Sequence, residues 1–126
     1  MVISFDHVSL CATDLNRSIS FYAEVLELEL LSRMDNGSQA VFRVGDELLV
    51  LFCGENYQTV DTSVRGGMHH LAFCLDSEVY DRVLERLKDK DLSFRGPMLN
   101  KGAQGEGFAT YFRDPDGNEL EIKKYE

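Results

Sequence analysis

Two stretches of this chain carry the same alternation of apolar and polar positions, half a chain apart. Residues 5–12 read F-D-H-V-S-L-C-A and residues 68–75 read M-H-H-L-A-F-C-L. His7 aligns with His70 and Cys11 with Cys74, an offset of 63 residues, with apolar positions between them. Each stretch has the short apolar run of a strand. Helical spacing follows each one. Asp14 offers a helix N-cap, and Leu15, Ile19, Tyr22 and Leu26 recur at helical intervals after it. In the second half Asp76-Ser77 offers the cap, and Val79, Val83, Leu84 and Leu87 share one face. Three strand candidates follow each helix, near 28–34, 39–44 and 47–53, then near 92–98, 108–113 and 118–124. Asp116-Gly117 between apolar runs predicts a tight hairpin, and Val44-Gly45-Asp46 plays the same part in the first half.

Each half is therefore predicted to be β-α-β-β-β. The fold class is α+β, one domain over 1–126, with βαβββ modules at 1–53 and 68–126 and a polar linker at 54–67. A lone module could not cover both faces of its sheet. The two together are expected to form a curved, eight-stranded mixed sheet with helices outside and a concave site inside.

Strand parity then sorts the side chains. Val8, Leu10 and Ala12 should pack under the first helix, leaving His7, Ser9 and Cys11 opposite. Leu71 and Phe73 should pack under the second, leaving His70, Ala72 and Cys74 open. In the last strand Leu120 and Ile122 face the helix, leaving Glu119, Glu121 and Lys123. Two histidines and a carboxylate thus point into one hollow. Such a facial set binds divalent transition metals and leaves positions open for substrate. Taken singly, a strand histidine is more often an exposed or satisfied residue, and Glu121 an ordinary surface charge. The repeat equivalence of His7 and His70 favours a metal held by His7, His70 and Glu121. The pocket floor around it would be Ser9, Leu49 or Val50, Ala72 and Tyr111. His69 falls on the helix side and reads as structural. Cys11 and Cys74 lie four residues along from the histidines, about 13 Å at strand rise, and read as small apolar fillers.

Composition narrows the function classes. A net charge of −9 argues against nucleic acid, which needs clustered Lys and Arg, and against an anionic membrane surface. No apolar run approaches the ~20 residues that span a bilayer, and the first residues lack a signal-peptide pattern. Three cysteines without CxxC spacing suit a reducing compartment, so the expected location is the cytoplasm.

The segments D-H-V-S-L at 6–10, D-L-N-R-S-I-S-F-Y at 14–22, H-L-A-F at 70–73 and Y-F-R-D-P-D-G-N-E-L-E-I at 111–122 resemble the vicinal oxygen chelate superfamily. That group includes glyoxalase I, methylmalonyl-CoA epimerase, extradiol dioxygenases, fosfomycin-resistance enzymes and bleomycin-resistance proteins. The resemblance implies the same fold and the same ligands, with Glu121 as the family's carboxylate. Glyoxalase I and the epimerase carry a fourth ligand in the fourth strand of the first half, where this chain has Leu48-Leu49-Val50-Leu51. Bleomycin-resistance proteins lack the triad. The three-ligand fosfomycin-resistance-like and undefined glyoxalase-domain proteins are nearest in motif. By that resemblance Ser9 replaces a substrate-contacting Thr, Lys101 matches a loop lysine, Glu106-Gly107 matches an acidic cation-binding loop and Tyr111 matches a substrate-contacting tyrosine. The hydrolase branch's general-base Glu would fall near Gln39 or Ala40, where no carboxylate stands.

The implied function is a divalent-metal enzyme acting as a Lewis acid on a small substrate with adjacent oxygens. One Mn, Fe, Ni, Co or Zn ion would sit in each site. Tyr111 and Lys101 would orient or protonate the substrate, and a Gly-rich loop at 99–108 would close over it. One alternative is a drug- or metabolite-sequestering protein of the bleomycin-resistance type. Another is an iron-dependent extradiol dioxygenase, which needs a further pocket histidine where only His69 remains. The resemblance also implies a homodimer whose metal sites are shared, with His7 from one chain and His70 and Glu121 from its partner.

Overall fold

The computed structural model describes residues 3–54 and 69–126, so nearly all of the expected linker lies outside the described residues. The chain divides into two compact units, one per half.

In the first half, β1 (His7–Cys11) leads into α1 (Leu15–Ser20). The Asp14 carboxylate accepts the Arg17 amide at 3.1 Å, meeting one of the donors that a helix start leaves open. The helix continues through a π-helical turn, Phe21–Val25. Then come β2 (Glu29–Arg33), β3 (Gln39–Val44) and β4 (Glu47–Phe52). Val44 pairs with Glu47 across a two-residue turn in which Gly45 takes φ +59°. The strand order is β1-β4-β3-β2, with β1 parallel to β4 and the remaining pairs antiparallel.

The second half repeats this topology with β5 (His70–Cys74), α2 (Ser77–Asp89), β6 (Phe94–Gly102), β7 (Gly105–Arg113) and β8 (Glu119–Lys124), in the order β5-β8-β7-β6. The β7–β8 turn is organised by Asp114. Its carboxylate accepts the Asp116 and Asn118 amides and the Asn118 side chain at 2.8–2.9 Å.

Hydrogen bonding makes two four-stranded mixed sheets, one per module. Within each unit the helix covers one sheet face. Tyr22 packs on Phe42 with ring centroids 5.9 Å apart. Tyr80 Oη meets Thr110 Oγ1 at 2.5 Å, with both side chains buried. Among the described residues, no helix is long and apolar enough to cross a membrane.

Two expectations are corrected. Residues 99–108 are not a loop but the turn end of the β6–β7 hairpin. Gly102 and Gly107 serve close approach: a Cβ on Gly107 would lie 2.6 Å from the Lys124 carbonyl oxygen, and one on Gly102 would collide with Lys123 and Tyr125, whereas Gly105 takes φ +97° at the turn. Leu49 does not share the face of His7. It pairs with Val8 and Phe42, the face under Tyr22, and is 1% exposed. Val50 pairs with Ser9 and stands on the His7 face instead.

Candidate functional site

β8 lies between β5 and β7, so its outward face is flanked by side chains on both sides. Two cross-strand rows form there. Ala72, Glu121 and Tyr111 make one; His70, Glu119 and Arg113 make the other. Glu121 is 4% exposed, and a carboxylate so placed needs charged or donor partners. Its Oε1 lies 3.0 Å from His70 Nε2, and its Oε2 lies 3.7 Å from Lys123 Nζ. This expected pair meets as parity required, and Glu121 is no ordinary surface charge.

The neighbouring buried carboxylate, Glu119, is held by two guanidinium groups. Arg95 Nη2 donates to it at 2.6 Å and Arg113 Nε at 3.1 Å. Arg95 also lies over the Tyr111 ring, 5.0 Å from its centroid. The ends of β6 and β7 here border a cavity of about 510 Å³ lined in part by Arg95, Tyr111, Arg113 and Glu119.

Tyr111 stands half-buried beside the pair, its ring edge-on to His70 at 5.8 Å. Burial first, then the charge of Glu121 and a hydrogen bond to it, push its pKa up. The Asn100 hydrogen bond and the Arg95 charge oppose that shift. Asn100 Nδ2 donates to Tyr111 Oη at 2.5 Å, and the Lys123 ammonium donates to the Asn100 side-chain oxygen.

In the first unit, His7 opens β1 and is exposed. Its Nδ1 lies 2.6 Å from Asp6 Oδ1. A carboxylate on one ring nitrogen orients an imidazole and leaves the other nitrogen available as a ligand. Ser9 and Ala72 lie exposed on the faces expected for them. Lys101 is exposed near the β6–β7 turn, opposite Glu106. Of the cysteines, all free, Cys11 is half-buried, whereas Cys74 is exposed with Gln104 Nε2 3.7 Å from its sulfur, so it fills no core. Among the described residues no three His, Cys, Asp or Glu side chains gather as an ion site. His70 and Glu121 meet in one unit, and His7 belongs to the other.

Sequence reasoning missed Asp6, Arg95, Arg113 and Asn100 as parts of these clusters. The Asp6-His7 adjacency was a usable signal. The place of Arg95 was not legible, because the β6–β7 register shifts between Arg95 and Met98.

The profile of the Glyoxalase/Bleomycin resistance protein/Dioxygenase superfamily matches residues 4–122. Glutathione transferase FosA of Serratia marcescens is 32% identical over 97% of this chain and 81% of its own. Virulence protein STM3117 of Salmonella typhimurium is 31% identical over 95% of this chain and 83% of its own. Among solved structures, VPC_CASS1 from the mobile metagenome of V. pseudocholerae superposes with a TM-score of 0.77 at 31% identity, covering 100% of this chain and 98% of the other.

Proposed function

The chain belongs to the Glyoxalase/Bleomycin resistance protein/Dioxygenase superfamily, and from that premise we propose that it is a divalent-metal-dependent enzyme acting on a small molecule with adjacent oxygens. The observation that carries this reading is the buried Glu121 carboxylate lying 3.0 Å from His70 Nε2. Two neighbouring ligands at about 2.1 Å from an octahedral ion stand about 3 Å apart, so the pair fits a transition metal. His7, oriented by Asp6, supplies the third donor, from a second copy of the chain in a homodimer. Val50 stands at the first-half position that matches Glu121, which favours a three-ligand site.

When bound, the ion supplies Lewis acidity toward substrate oxygens. The protein supplies the rest. Tyr111 offers a hydroxyl beside Glu121, and Arg95 and Arg113 surround the adjoining cavity with donors. Ser9 and Ala72 leave open space on the ligand-bearing faces. The three free cysteines suit a reducing cytoplasm. The likeness to a glutathione transferase makes thiols the first co-substrates to try.

The test is metal analysis of untagged protein, followed by a thermal-shift screen with thiols, small diols and 2-oxo compounds. One ion per chain is expected in the wild type, with almost none retained by Glu121→Ala, where two neutral imidazoles leave the cation's charge uncompensated. Equal metal content in the two proteins would overturn the assignment.

A further inference from the structure

The direction of the Tyr111 proton is fixed by a lysine that does not touch it. Lys123 is buried, and its ammonium contacts both oxygens of Asn100: the side-chain oxygen, and the main-chain oxygen at 3.3 Å. An ammonium has three donors and no acceptor. Elsewhere the two ends of a carboxamide are interchangeable; beside an ammonium the oxygen must face the cation. The Asn100 amide nitrogen is thereby turned toward Tyr111, where it donates to the hydroxyl oxygen. That oxygen serves as an acceptor, so its own proton points away from Asn100.

Glu121 stands opposite Tyr111 in the ladder. Of the other polar side chains against the Tyr111 ring, Arg95 can only donate, and His70 stands edge-on with its Nε2 beside Glu121. Glu119, the remaining acceptor of that face, is engaged by two guanidinium groups.

We propose that Lys123 and Asn100 are positioning residues that set Tyr111 as a hydrogen-bond donor toward the Glu121 side of the face. The inference rests on the reading of Tyr111 as part of the active site.

One measurement tests it directly. Resonance Raman spectra of metal-free protein report whether a tyrosine hydroxyl donates or accepts, and subtracting the Tyr111→Phe spectrum isolates Tyr111. The wild-type doublet should be that of a hydroxyl that does both. Asn100→Asp should shift it to a strong donor, Lys123→Met should shift it because the amide can turn, and Lys123→Arg should preserve it. An unchanged doublet in both Asn100→Asp and Lys123→Met overturns the positioning role, with circular dichroism confirming that each variant is folded.

Discussion

Glu121 and Val50 occupy the same register position in the two halves: each stands opposite the third residue of its module's first strand, Ala72 in one case and Ser9 in the other. Each is also diagonal to the histidine that opens that strand. One half of the repeat thus carries a carboxylate where the other carries a buried apolar side chain. Val50→Glu should place a carboxylate beside His7 as Glu121 stands beside His70. It buries a charge with no lysine nearby, since the register equivalent of Lys123 is Phe52. A loss of about 3 kcal/mol or more is expected without metal. Added zinc should recover part of the melting temperature, and a His7→Ala background should abolish the recovery. Melts indifferent to zinc would contradict the equivalence.

The Leu49 correction is checked by truncation. Leu49→Ala removes a side chain from beneath Tyr22 and should cost about 2–5 kcal/mol in denaturant unfolding, while metal content per folded chain stays unchanged. Loss of metal with little loss of stability would return Leu49 to the site face.

Tyr80 and Thr110 share a buried hydrogen bond. Tyr80→Phe leaves the threonine hydroxyl without it and should cost about 1–2 kcal/mol. Burial also raises the Tyr80 pKa above its ordinary value of 10.0. A group whose folded pKa is raised contributes stability that is fully present below the unfolded pKa and is lost as pH rises through the folded one. Stability should therefore fall above about pH 10 as the unfolded chain loses the Tyr80 proton more readily. Urea melts across that range should show a shallower decline for Tyr80→Phe, and parallel declines would remove Tyr80 as a cause.

A shared site makes a stoichiometric prediction. His7→Ala and Glu121→Ala homodimers should each lack metal. Unfolded together and refolded, they should form heterodimers with one doubly damaged and one intact site. About a quarter of all sites recover if pairing is random. Heterodimers that recover no metal would show that each site is closed within one chain.

Much of the fold was legible because the repeat states it twice. The matched His7 and His70 segments fixed the topology, and parity placed Glu121 on the His70 face. Parity failed for Leu49 because it needs a reference, and the Leu48–Leu51 run is apolar at every position; only pairing with Val8 reveals its phase. The 99–108 segment misled for a different reason. Gly102 and Gly107 are there because Lys123, Lys124 and Tyr125 press against the hairpin, a tertiary contact that local composition cannot report. The Arg95–Glu119 pair depends on the irregularity at Gly96-Pro97; that dipeptide signals a break in the strand but not the register on either side of it.

The sheet order places β1 and β5 at sheet edges, while β8 is flanked on both sides. Each histidine therefore rides on a strand laddered along one side only among the described residues, whereas the carboxylate is bolted into the middle of its sheet. An ion entering such a site would meet one fixed wall and adjustable imidazoles. Cations of different radius could be accommodated by small displacements of the outer strands at little energetic cost. Backbone amides of β1 and β5 should then exchange hydrogen fastest in ion-free protein and slow most on loading, while those of β8 barely change.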